Sequence, residues 1–186
     1  MTKKKGAAVP KEEECYELMR SSGMLENIVR HSVQVMKVSM ALVGALRDPS
    51  SIDADLVRAG ALLHDIAKTR TIGSGEMRHD LIGGRIMRDI GYDAVARIVE
   101  SHVFFDGFDP RGPLEAREIV FYADKRVMHD MIVSLDDRVD DLVNRYGSTE
   151  RIVKLILENK QFVLDLELKL QSHLTADIED LLSKIR

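Results

Sequence analysis

The stretch that decides the fold is ADLVRAGALLHDIAKT, residues 54–69. Ser51 to Asp55 supplies capping chemistry ahead of it, and the run reads as one helix from about Asp53 to Thr69. Ala61-Leu62-Leu63 marks that helix as buried, yet His64 and Asp65 follow side by side. Neighbours stand about 100° apart around a helix axis, so an imidazole nitrogen and a carboxylate oxygen can face one ion together. Lys68 lies four residues after His64 and three after Asp65, on the same side, where its ammonium can meet a phosphate oxygen as a point charge. A surface cation favoured by the helix dipole would occupy the same position, so Lys68 alone decides little.

Outward from this stretch the chain reads as helix after helix. A short helix is expected over Lys11 to Ser22, and a longer one from Leu25 to Leu46, closed by Asp48-Pro49. Further helices are expected over His79 to Ile90, Asp93 to His102, Leu114 to about Met128 and Met131 to Tyr146. TRTIGSGEMR and VFFDGFDPRGP, with their glycines and prolines, read as loops. No convincing alternating strand is present. Beyond Gly147 a stripe through Ile152, Ile156, Val163, Leu166, Leu170, Leu174, Ile178, Leu181 and Ile185 marks one helical face. Ser148 or Thr149 can cap its start.

Three polar residues fall in rows that a helix would fill with apolar side chains. His31 lies in the row of Ile28, Val35 and Val38; His102 follows Val95 and Ile98; Asp124 is flanked by Val120, Phe121, Val127 and Met128. A lone histidine on such a face is ordinarily a satisfied core residue. A buried carboxylate is harder to accommodate, because an unpaired charge is costly and a metal cation is one of the few partners that makes the position favourable.

Taken together, NIVRHSVQV, ALLHDIAK and YADK resemble the HD-domain metal-dependent phosphohydrolases, whose pattern is a His, an adjacent His-Asp and a distant Asp. Here these are His31, His64-Asp65 and Asp124, and the resemblance covers about Leu25 to Tyr146. It implies an all-α orthogonal helical bundle with the metal between helices; the long C-terminal helical extension is read from the stripe beyond Gly147 and has no counterpart in the resemblance. It also implies that His79 and His102 serve a second ion, with Asp65 bridging. Such a mixed imidazole and carboxylate set suits one or two divalent transition-metal ions (Fe, Mn, Zn or similar), two favoured, better than magnesium. The mononuclear alternative leaves His79 starting a helix and His102 contacting substrate.

The activity so implied is hydrolysis of a phosphate ester or anhydride of a nucleotide or dinucleotide by metal-activated water. Asp65 and Lys68 are the candidate catalytic residues, and Lys68 and Lys125 the candidate substrate cations. HDIAK, single histidines at His79 and His102, and ADK are most similar to the bacterial enzymes that cleave diadenosine tetraphosphate symmetrically. Cyclic di-GMP hydrolases carry a double His and a Gly-Tyr motif that Ser101-His102-Val103 and DGFDP lack. The alternative is a nucleotide-sensing HD module with little turnover.

Composition agrees with this class. A length of 186 residues suits one domain; 45% apolar residues with four prolines give ample material for a core, and 31% charged residues with few aromatics favour helices with solvated faces. The expected organisation is a disordered tail over 1–10, a phosphohydrolase domain over 11–146, and an amphipathic extension over 147–186 packing on the domain or on a homodimer partner. The net charge of −4 argues against a protein that coats nucleic acid, so the small-molecule phosphate partner that the resemblance implies needs local cations or metals. Cys15 is the single cysteine, and no stretch resembles a signal peptide or membrane span, so a cytoplasmic location is expected. His129-Asp130 is rotated away from the Asp124 face and is expected to be solvated. GSGEMRH lacks the Gly-Lys-Ser/Thr ending of a phosphate loop, and His173 is expected to be exposed.

Overall fold

The structure is a computed structural model that describes residues 8–74 and 78–185. It is all-α apart from one very short hairpin. The helices are α1 (Glu12–Ser21), α2 (Glu26–Gly44), α3 (Ala54–Leu63), α4 (Lys68–Thr71), α5 (His79–Asp89), α6 (Asp93–Ser101), α7 (Ala116–Lys125), α8 (Leu135–Tyr146), α9 (Glu150–His173) and α10 (Ile178–Leu182). Side chains close several N-termini: Asp53 accepts from Asp55 and Leu56, Ser134 from Asp137, Thr149 from Ile152, and Asp177 from Glu179 and Asp180. Glu118 reaches back to the Glu115 N–H at the start of α7.

Helix α3 is the central element, because its two sides feed two apolar clusters. Val57 and Ala61 face a cluster built with Val35, Val38, Leu42, Phe121 and Leu166, whereas Ala59, Leu62 and Leu63 face Met19, Met87, Val95 and Val99. That two-sided burial is why its sequence is apolar nearly all round. Two glycines allow the close approaches that gather the site. A Cβ on Gly60 would stand 2.6 Å from Ile98 Cδ1, and one on Gly83 would stand 2.8 Å from Val99 Cγ1, so both positions draw their helices onto α6.

The stripe after Gly147 packs into the larger cluster through Val163, Leu166, Leu170, Leu174 and Ile178. Leu182, rather than Leu181, is the fully buried leucine of α10. Backbone pairing fixes this segment against the end of α2: Arg47 N–H donates to the His173 carbonyl and Thr175 N–H to that of Ala45, both at 2.9 Å. Two buried cations lock it further. Arg126 donates to Tyr122 Oη, Val133 O and Glu179 Oε2, and Lys169 Nζ lies 2.7 Å from Glu118 Oε1.

Several boundaries differ from expectation. The helix expected to continue to Thr69 stops at Leu63, and tighter bonds from Ile66 to Leu63 and from Lys68 to Asp65 carry the chain through a turn into α4. His64 and Asp65 therefore sit on that turn, not inside a helix. The helices expected over Leu114 to Met128 and Met131 to Tyr146 are both trimmed. Between them Val127–Met128 (β1) pairs antiparallel with Met131–Ile132 (β2), turning at His129, whose φ is +57°. A two-residue ladder is too short to show an alternating pattern, so periodicity could not reveal it. Residues 1–7 of the expected tail, and 75–77 of the first loop, lie outside the described residues.

Candidate metal centre

Five elements bring six ligand-type side chains together. His31 comes from α2, His64 and Asp65 from the turn after α3, His79 from the first residue of α5, His102 from the C-terminus of α6, and Asp124 from α7. All are buried except His79, which is half-buried. They form two overlapping groups, His31 with His64 and Asp65, and Asp65 with His79 and His102, the donor atoms of each lying within 4.8 Å of one another. Asp65 belongs to both. Asp124 flanks the first group, its Oδ1 lying 3.0 Å from His31 Nε2 and 3.7 Å from His64 Nε2.

The hydrogen bonds fix which ring nitrogen is free. A backbone carbonyl can only accept, so a ring nitrogen facing one carries a proton. Nδ1 of His31 donates to the His129 carbonyl (2.8 Å), that of His64 to Ala61 (2.8 Å) and that of His102 to Val99 (2.5 Å). In each neutral ring Nε2 then holds a lone pair, and these atoms converge on acceptors. His79 and His102 Nε2 are 3.1 Å apart and lie 3.2 and 3.3 Å from Asp65 Oδ1. His64 Nε2 and Asp65 Oδ1 are buried without a hydrogen-bond partner. Lone pairs crowded together in a buried site are unfavourable unless a cation lies among them, so this donor set fits one. Imidazoles oriented by backbone carbonyls are also the usual support for a ligating histidine.

Without an ion, protons on the imidazoles take the place of the cation beside the carboxylates. Burial disfavours ionised Asp65, but His64 and the surrounding imidazoles outweigh it and hold the carboxyl well below its ordinary range. Burial likewise opposes charge on Asp124, and Lys125 with His31 reverses the balance. Desolvation dominates at His102 and lowers its pKa, which favours the neutral, ligating ring. At His64 burial is outweighed by the Asp65 and Asp124 carboxylates, so its pKa rises. The two carboxylates thus require positive charge in their midst.

Both expected substrate cations adjoin this cluster. Lys68 Nζ lies 2.7 Å from Asp65 Oδ2, and Lys125 Nζ lies 2.6 Å from Asp124 Oδ2 and 2.9 Å from the His102 carbonyl. Lys68 is half-buried and Lys125 more enclosed. His173, expected to be exposed, is half-buried and joins neither ligand group.

Nothing in the sequence marks the backbone of His129 as part of the site. Its side chain and that of Asp130 are exposed, as expected, yet its carbonyl orients His31. Side-chain identity carries no signal for that role; only the hairpin turn, packed against α2, supplies it. A cleft of about 770 Å³ runs along α6 past Arg78, Arg97, Phe104 and Arg117, but none of the six ligand-type residues lines it. The convergent donors, not the cleft, locate the chemistry.

The HD domain family matches residues 28–129. An uncharacterized protein of Methanocaldococcus jannaschii is 31% identical over 146 residues, covering 71% of this chain and 85% of that protein. The tRNA (cytidine(56)-2'-O)-methyltransferase of Picrophilus torridus is 30% identical over 162 residues, or 79% of this chain and 46% of that enzyme. The enzyme of the same name from Thermoplasma volcanium is 34% identical over 101 residues, covering 54% of this chain and 28% of its own length. The chain thus spans less than half of either methyltransferase. No solved structure matches it.

Proposed function

The chain belongs to the HD-domain family, and on that premise we propose that it is a metal-dependent phosphohydrolase acting on a nucleotide or dinucleotide. The observation that carries this reading is the pair of ligand groups sharing Asp65, with Nε2 lone pairs and carboxylate oxygens directed at one another. His31, His64, Asp65 and Asp124 would hold one divalent transition metal, and Asp65, His79 and His102 a second. When bound, such ions supply Lewis acidity toward a phosphoryl oxygen and lower the pKa of a coordinated water. The carbonyls of His129, Ala61 and Val99 keep three of the imidazoles in the ligating tautomer. Lys68 and Lys125, each beside a ligating carboxylate, would neutralise charge on the phosphoryl group as it builds.

The finer proposal is symmetrical cleavage of a dinucleoside tetraphosphate, supported by HDIAK with single histidines at positions 79 and 102 and by ADK. Methyl transfer is not proposed, because the shared segment is under half of either methyltransferase. Those relatives do give a reason to include RNA-derived phosphates among the substrates tested.

The test is metal analysis of the purified protein followed by assays on nucleotides, dinucleoside polyphosphates and RNA phosphates with manganese, iron or zinc added. Bound metal and turnover of one class are expected. Bound metal with no turnover of any member would favour the nucleotide sensor, and a protein that binds no metal, with His64→Ala behaving as the parent, would refute the centre itself.

A further inference from the structure

We infer that the cleft along α6 is a second binding site, separate from the metal centre, and that it takes a purine nucleotide: the base stacks on Phe104 and a phosphate meets Arg97. The cleft encloses about 770 Å³, inside the range of roughly 300–1,000 Å³ usual for small-molecule sites. Its apolar lining comes from Leu56, Leu81, Ile98 and Ala116. Phe104 stands 65% exposed in it and Leu81 43% exposed. Two large apolar side chains left open in one concavity differ from the scattered singles that a protein surface ordinarily carries.

Phe104 is also held as a platform. Asp80, fully buried, accepts from Arg78 Nε at 2.9 Å and from Nη2 at 2.7 Å. The guanidinium so fixed lies 4.9 Å from the centroid of the Phe104 ring. A ring steadied by a cation and still open to solvent is the kind of surface on which a base stacks. Its neighbour Phe105 serves the core instead, packing against Phe121 and Phe162.

The charges lining the cleft are engaged by ion pairs, with one exception. Arg117 pairs with Asp106 and Glu115, Glu100 with Arg88, and Arg78 with Asp80. Arg97 is exposed on α6 and has no ion-pair partner among the described residues. A ligand matched to this lining is aromatic at one end and anionic at the other, as a nucleotide is. An apolar peptide would leave Arg97 unpaired, and a free phosphate would leave Phe104 bare.

The experiment must separate this cleft from the metal centre, because both draw on α5 and α6. It uses the full chain loaded with manganese, as parent, Phe104→Leu and Arg97→Gln. The probes are the α,β-methylene analogues of ADP and GDP, whose P–C–P bridge resists hydrolysis, with methylenediphosphonate and adenosine as the two halves. Binding is read by calorimetry, beside manganese content and the urea midpoint. At least one nucleotide should bind more tightly than either half. Phe104→Leu should weaken that nucleotide by about tenfold to a hundredfold and leave methylenediphosphonate unchanged. Arg97→Gln should weaken it by about tenfold and leave adenosine unchanged. Manganese content and the urea midpoint should match the parent in both. Three results would overturn the assignment: neither nucleotide binds, both variants stay within about twofold of the parent, or methylenediphosphonate binds as tightly as the nucleotide. A loss of affinity that tracks lost manganese would place the nucleotide at the metal centre and overturn it too. None of these results touches the phosphohydrolase reading, which turnover tests separately.

Discussion

The buried pair Lys169–Glu118 sets a stability cost that can be worked from its surroundings. Both side chains are only 3% exposed, and Lys169 Nζ lies 2.7 and 2.9 Å from the two Glu118 oxygens. It also donates to the carbonyls of Asp109 and Pro113. Replacing it in Lys169→Met keeps most of the stem volume but strands a buried carboxylate. Removing one partner of such a pair costs about 3–5 kcal/mol. The lower half of that range applies, because Glu118 keeps the Glu115 N–H as donor and the two carbonyls belong to exposed residues that water can reach. The expected loss is therefore about 3–4 kcal/mol. In Lys169→Met with Glu118→Gln the stranded charge is gone, so the double variant should be about 1–2 kcal/mol more stable than Lys169→Met alone. Urea unfolding followed by circular dichroism, with chelator in every sample so that metal linkage does not enter, measures both values. A loss below about 1 kcal/mol in Lys169→Met, or a double variant as unstable as the sum of the singles, would refute the reasoning.

Asp65 belongs to both ligand groups, so Asp65→Asn should reduce bound metal at both positions, whereas His79→Ala should spare the His31 side; elemental analysis of the two variants distinguishes these outcomes. His129 acts through its carbonyl at φ +57°, so His129→Gly should keep metal binding and gain up to about 1–2 kcal/mol by relieving the left-handed backbone, while His129→Val should lose both. Gly83→Ala gains about 1 kcal/mol of helix propensity but forces a Cβ against Val99, an overpacking cost of about 1–3 kcal/mol, so thermal unfolding should show a net loss of up to about 2 kcal/mol. Asp65 and Asp124 have folded pKa values well below the ordinary one, hence contribute stability that is fully present above about pH 4 and lost as pH falls through the depressed values. An acid titration of the metal-free protein should be steeper for the parent than for Asp124→Asn, and equal slopes would contradict it.

Much of this molecule is written locally. The 3.6-residue recurrence of apolar positions specifies helices wherever they are long, and it places His31, His102 and Asp124 on inward rows, because side-chain direction along a helix follows from spacing alone. The stripe through Val163, Leu166 and Leu170 announces a buried face in the same way. The family pattern links positions that no periodicity connects, and so brings His64 and Asp65 into relation with a histidine on α2 and an aspartate on α7.

Other features exist only once distant segments meet. The break after Leu63 is one, where a helix read as continuous gives way to a turn that carries His64 and Asp65 into the space between α2, α5, α6 and α7. The His129 carbonyl is another, since a two-residue hairpin sets it against His31, 98 residues away. Lys169 and Glu118 are 51 residues apart, and each alone reads as an ordinary charge on a helix. Sequence by itself determined which faces turn inward and which residue types occupy them, because those depend on local geometry. Which donor faces which acceptor, and which are left facing a lone pair, was decided by tertiary contact alone, because hydrogen bonds and metal sites require groups within a few ångströms and chain order does not encode that distance.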